Sequence, residues 1–190
     1  MKHNNKGFLT QFLLLFLAIA IPIGFLIFTC VLEPLLPGYQ IRLASSMLRT
    51  KLPKGTTAIV IDDSPGLPFP GGASDGYTFL ILQIPPKKIA EFTNTLEESP
   101  IWKPLPLPAR LAENEHFLQP RIIGAIEETI PIDSSTGYYL FIDHQEEYNK
   151  AHDSQTYDTA KPFYERSSLN YTFGMFDDKT GKLYLWSLDT

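Results

Sequence analysis

The chain has 190 residues, 16 Lys and Arg against 21 Asp and Glu, and a net charge of -5. Lys2 and Lys6 are the only charged side chains before Glu33, which leaves 14 basic and 21 acidic residues in 33–190, a net of -7. An acidic surface of this kind repels phosphate backbones and excludes nucleic acid as the expected partner, and the lone cysteine, Cys30, leaves the downstream part with neither a disulfide nor a thiolate metal site.

Chain order begins with residues 7–32, which carry no charge between Lys6 and Glu33. A bilayer core needs about 20 mainly apolar residues in a helix, because no water there satisfies loose backbone groups. The stretch is long enough to span. Pro22 and Gly24 would weaken a soluble helix, yet both are tolerated in transmembrane ones. A cleaved signal peptide has a shorter apolar run and a small-x-small site, which Phe28-Thr29-Cys30-Val31-Leu32 does not offer. Cys30 reads as an apolar filler rather than a lipoprotein cysteine. The expectation is a cytoplasmic tail at 1–6, a single-pass anchor in membrane lipid at 7–32, a juxtamembrane helix or stalk at 33–56 and one soluble domain at 57–190. Lys2, Lys6 and the amino terminus mark the inner flank, so that domain is expected outside the cytoplasm.

Residues 57–61, Thr-Ala-Ile-Val-Ile, predict a strand. Four glycines and three prolines in 64–76 then forbid regular structure. Residues 77–84 are apolar on both alternating faces and predict a strand central in its sheet. Pro85 and Pro86 open a helix over 87–98, with Ile89, Phe92 and Leu96 as its apolar stripe. Alternate prolines keep 100–108 extended, a connector that buries Trp102. Residues 109–117 predict a short helix, and 120–129 a helix in preference to a strand. Gly137 leads into a third strand, ended by Asp143. Residues 144–166 are polar and predict a surface excursion. Alternation of Leu169, Tyr171, Phe173 and Met175, a turn at 177–181 and a return over 183–188 predict a closing hairpin. The sum is an α+β fold: a largely antiparallel sheet of about five strands with helices packed on one face.

Two constellations carry chemistry. Gly72-Ala-Ser-Asp-Gly76 has the form G-x-S-x-G, with Asp143 and His144 downstream, so Ser74, Asp75, Asp143 and His144 are candidates for a hydrolytic site. The expected surroundings are wrong for a nucleophile elbow, because the motif leaves a loop and enters a strand. Strand-ending aspartates form the second set. Asp62, Asp63, Asp75 and Asp143 would share a divalent cation if the first and third strands run the same way. Asp177 and Asp189 belong to opposite ends of the hairpin, and aspartate also starts ordinary turns. His144 and His152 fit no usual zinc spacing and read as loop residues. Asn170-Tyr-Thr172 has the form of a glycosylation sequon placed in mid-strand.

Asp75-Gly76 before a strand, Trp102-Lys-Pro-Leu-Pro106, the run 137–143, Arg166-Ser-Ser-Leu-Asn-Tyr-Thr172 and the closing 183–190 resemble a group of small uncharacterised bacterial proteins of Gram-positive type. The likeness covers about the last two thirds of the chain, through motifs that are specific only together. It implies a membrane-associated or secreted protein and adds no substrate. Members of that group carry histidines in the glycine loop before the Asp-Gly step. This chain has none between Asp62 and Asp75, a departure that weakens a metal site there. The functional expectation is a non-catalytic binding module of the cell envelope, without a cofactor, engaging an envelope protein or a small ligand. The alternative is a small hydrolase or metal-dependent enzyme built on the residues named above.

Overall fold

A computed structural model describes residues 5–27, 36, 38–64, 76–118 and 130–190. The chain forms two compact units, Met1–Gln40 and Ile41–Thr190. In the first, α1 (Asn5–Ile27) contains Pro22 and exposes its large apolar side chains, Leu14 and Phe25 among them. Among the described residues no helix is long and apolar enough to cross a membrane. The expected anchor at 7–32 thus coincides with a helix over most of its backbone, while 28–32 lie outside the described residues.

α2 (Tyr39–Met47) leads into the second unit, which is built on a sheet of six strands. These are β1 (Thr57–Ser64), β2 (Gly76–Gln83), β3 (Lys103–Pro104), β4 (Tyr138–Asp143), β5 (Asn170–Asp177) and β6 (Lys182–Asp189). Their order is β1-β2-β6-β5-β4-β3, and every neighbouring pair is antiparallel. The closing hairpin is as the alternation predicted, and β2 lies inside the sheet, as a run apolar on both faces predicted. The sheet has one strand more than expected, because the proline-rich connector contributes β3 at an edge, where a missing ladder donor is harmless. β1 runs on past residue 61 to Ser64.

Both faces of the sheet are covered, which corrects the expectation of helices on one face. On the first, Ala44 of α2, Leu48 in the turn after it, and Phe92 and Leu96 of α3 (Ile89–Glu97) pack against Leu80, Leu82, Leu140, Leu183 and Leu185. Trp102 is buried here and donates its indole N–H to Thr50 Oγ1 at 2.7 Å, so its one polar atom is satisfied. On the second face, Leu111 of α4 (Ala109–Ala112), Leu118 of α5 (Glu115–Leu118), Ile130 and Phe163 cover Phe79, Ile81, Tyr171, Phe173 and Trp186. The helices on this side are single turns, since chain rich in proline and short loops supplies most of the cover. Tyr171 and Trp186 both donate to the Phe117 carbonyl, and burial pushes the Tyr171 hydroxyl up to about 12.

The polar stretch after β4 is a helix rather than a loop. α6 (His144–His152) is capped by the Asp143 side chain, which accepts from the Glu146 N–H at 3.1 Å. Acids in its first turn and Lys150 and His152 in its last match the helix dipole. Its inward residues are polar: Asn149 is buried and holds the following loop through the Tyr157 and Thr159 side of the chain. The expected helix at 120–129 and most of the glycine-rich stretch 64–76 lie outside the described residues.

Candidate functional site

Antiparallel pairing throughout makes β1, β6 and β4 run in one sense and β2 and β5 in the other. The ends of β1, β4 and β6 and the starts of β2 and β5 therefore share one end of the sheet. On the first face, Leu80, Leu185, Gly174 and Leu140 form one cross-strand row in the core. Two residues nearer that end, the register places Thr78, Ser187 and Thr172 side by side. Apolar floor gives way to hydroxyls.

Buried hydroxyls need partners, and these find them in a chain. Thr172, 1% exposed, lies 3.2 Å from Ser187 Oγ, which donates to the Tyr171 carbonyl at 3.2 Å. On its other side, Thr172 Oγ1 is 2.9 Å from His144 Nε2. His144 Nδ1 lies 3.6 Å from Glu147, and Glu147 takes two bonds from the Arg49 guanidinium, at 2.7 and 2.5 Å. Burial is the main cause that lowers the His144 pKa, against the pull of Glu147. The Arg49 bonds are the main cause that lowers the Glu147 pKa. Neutral His144 is best served by a proton on Nδ1, facing Glu147, with Nε2 accepting from Thr172; this tautomer is assigned from the partners. Protonated His144 donates from both nitrogens, and the hydroxyl chain then turns to run from His144 through Thr172 and Ser187 to the Tyr171 carbonyl.

These groups wall an open cleft of about 400 Å³, lined by Ser46, Met47, Arg49, Gly76, Tyr77, Thr78, His144, Asn170, Thr172, Ser187 and Asp189. Arg49 stands at its mouth with a left-handed backbone, φ 48°. After α2 the Thr50 N–H bonds the Ser45 carbonyl and the Arg49 N–H the Ser46 carbonyl, the helix-ending pattern whose left-handed position normally belongs to glycine.

The sequence candidates fare unevenly. His144 is in the cleft. Asp143, its neighbour, faces the other side of the sheet: both its oxygens take bonds from Arg166 Nη1, at 2.9 and 2.7 Å, with only 8% and 11% of the Arg166 and Asp143 side chains exposed. The pair cannot act on one substrate atom. β1 and β4 do run the same way, as a shared cation site for Asp62, Asp63, Asp75 and Asp143 required. Three strands stand between them, however, so Asp62 and Asp143 are about 19 Å apart at about 4.8 Å per strand. Asp62 accepts from the Tyr77 hydroxyl at 3.1 Å, and Asp63 pairs in register with Thr78. Ser74 and Asp75 lie outside the described residues. Among the described residues no three His, Cys, Asp or Glu side chains gather to hold a metal ion.

Arg49, Glu147, Thr78, Thr172 and Ser187 were not singled out from the sequence. One signal was present: a hairpin turning at 177–181 places Thr172 opposite Ser187. The order hydroxyl, imidazole, carboxylate resembles a nucleophilic triad, but Thr172 is too deeply buried to meet a substrate, and the group fixes protons in a wall. No protein-family model, no curated protein and no solved structure matches the chain.

Proposed function

We propose that the chain is a membrane-anchored binding module of the cell envelope, whose body holds a small polar ligand in the cleft at the end of its sheet, without covalent chemistry. The observation that carries the reading is the row Thr78, Ser187 and Thr172 extended by His144. Within it the buried Thr172 meets no ligand but holds Ser187 and His144 in place, so the wall of a concave cleft carries fixed polar groups, the combination that small-molecule sites use for orientation. Support for the anchor comes from the sequence: 7–32 is uncharged and would span about 39 Å as a helix at 1.5 Å per residue. Lys2 and Lys6 on its inner flank put the body outside the cytoplasm. The hydrolytic alternative through Ser74 would need His144 as its base, yet Nε2 already serves Thr172.

The test is a ligand-observed NMR screen of small polar molecules against the full chain in detergent, with Ser187→Leu as a variant whose cleft is filled. Binders lost in the variant are expected. A library in which every hit binds both proteins equally would remove the cleft from consideration. Alkaline extraction of membranes tests the anchor separately: the chain should stay in the pellet.

A further inference from the structure

We infer that the cleft recognises an oxyanion, the carboxylate or phosphate of a small molecule bearing one such group, and that this group takes Arg49 over from Glu147. The inference rests on the reading of the cleft as a binding site and names its ligand class. Among the described residues lining the cleft Arg49 is the single Arg or Lys. Its side chain and that of Glu147 are 45% and 43% exposed, so their ion pair is screened by water and contributes little, and exchanging one carboxylate for another oxyanion costs little. A guanidinium fork accepts a carboxylate or phosphate in two parallel bonds. A further donor for the remaining lone pairs lines the same cleft, the Asn170 amide. Arg49 is the one cation there to offset a ligand's charge and Asp189 also lines the cleft, a balance that fits one oxyanion better than a polyanionic chain.

An arginine at a left-handed backbone position is the second observation. Glycine would hold the left-handed backbone there without strain. An exposed ion pair is poor compensation for that strain, whereas strained residues concentrate where a side chain has a task.

Exchange also moves a proton. Of the two Glu147 oxygens that Arg49 holds, Oε2 is the one 3.6 Å from His144 Nδ1. Once released, Glu147 becomes the counter-ion of His144 alone, and the protonated imidazole gains. Around that ring the charged groups are Glu147, Arg49 and Asp143; removing the Arg49 charge to the ligand and freeing Glu147 both favour proton uptake. Binding of an anion whose own charge is constant is therefore tighter at about pH 6 than at about pH 8.

The experiment titrates the full chain in detergent with acetate, inorganic phosphate and, as a neutral probe, glucose, following the amide signals of Thr78, Thr172 and Ser187. Saturable shifts with acetate or phosphate are expected, and the stronger of the two identifies the head group. Arg49→Gln should weaken that binding by about tenfold or more, the loss of a bidentate charged contact. Glu147→Gln should strengthen it several-fold, because the competitor for Arg49 is gone, and His144→Gln should abolish the pH dependence of acetate binding, acetate being the probe whose own charge is constant over that range. A purely structural role for the ion pair would make both charge variants weaken binding alike. Glucose binding without anion binding, or anion binding indifferent to both variants, overturns the oxyanion inference and leaves the cleft a site. Silence from all three probes overturns it too, and a blank screen with the wider library would then remove the cleft itself.

Discussion

Arg49 and Glu147 lie 98 residues apart in sequence and join the turn after α2 to the first turn of α6 by two hydrogen bonds, beside the cleft that Arg49 lines. The bond pair rests on a backbone that L-residues avoid, φ 48° at Arg49. Stability and binding therefore make opposite demands on residue 49. Arg49→Gly removes a left-handed strain of about 1–2 kcal/mol, and loses an exposed ion pair of about 0–1 kcal/mol together with about 0.5–1 kcal/mol of glycine's chain entropy. Its unfolding free energy should lie within about 1 kcal/mol of the parent, while Arg49→Ala, which keeps the strain and loses the pair, is the less stable of the two. Urea denaturation of both variants checks the order; an alanine variant as stable as the glycine one would show that the backbone strain is absent.

Gly174 sets how closely the first layer sits on the sheet. A Cβ there would stand 2.5 Å from Leu48 Cδ2 and 3.0 Å from Trp102 Cη2. Those side chains are buried, and Trp102 is held by Thr50, so neither withdraws freely. Gly174→Ala should cost about 1–3 kcal/mol by overpacking. Combining it with Leu48→Ala, which opens space at the same point, should cost less than the sum of the two single changes. Additive losses in denaturant melts would place the strain elsewhere.

What the sequence disclosed follows from which interactions are local. The unbroken apolar run of 77–84 marks β2 as an interior strand and the alternation in 169–188 marks the hairpin of β5 and β6, because each side chain's face follows from its neighbours two residues away. α6 escaped because its buried positions, Gln145 and Asn149, are polar, so no apolar period marks it; only the caps did, Asp143 followed three residues on by Glu146. The second face escaped because Leu105, Leu107 and Ile132 reach it from irregular chain, which has no period to read. The cleft was least legible of all. Its walls come from α2, β2, β5, β6 and α6, and no two of Arg49, Thr78, His144, Thr172 and Ser187 form a local motif. The aspartates show the converse: running β1 and β4 in one sense was a sound condition, and the order of the strands between them decided against a shared site.

Acid should weaken the fold in two steps. The folded His144 has its pKa below the ordinary 6.5, so between those two values the unfolded chain binds more protons, and stability falls as the pH drops through that window. Glu147 has its pKa below the ordinary 4.5; its contribution is present above that value and is lost as the pH falls through the folded one. His144→Gln should remove the upper step and keep the lower. Glu147→Gln should remove the lower and deepen the upper, because Glu147 is what raises the His144 pKa against burial. Melting temperatures from about pH 8 to about pH 3 resolve both steps; an upper step that survives in His144→Gln would belong to another group.

Asp143 and Arg166 form the other pair that fixes the geometry around the cleft, although they stand on the opposite face of the sheet. Arg166 Nη1 bonds both Asp143 oxygens, and its Nε–H donates to the Lys161 carbonyl, which ties the loop after α6 to the end of β4. Asp143 also caps α6, and so sets the first turn that carries His144 and Glu147. Arg166→Met leaves a carboxylate 11% exposed without its counter-ion, a loss of about 3–5 kcal/mol for a buried pair broken on one side. Asp143→Asn keeps a capping oxygen but loses the charge, and should cost less. In the double variant neither a lone carboxylate nor a lone guanidinium remains, so its loss should fall below the sum of the single ones. Denaturant melts give these numbers, and the amide shifts of His144 and Thr172 give the second readout: displaced in Arg166→Met, close to the parent in Asp143→Asn. Parent-like shifts in a destabilised Arg166→Met would confine the pair to stability and detach it from the placing of His144.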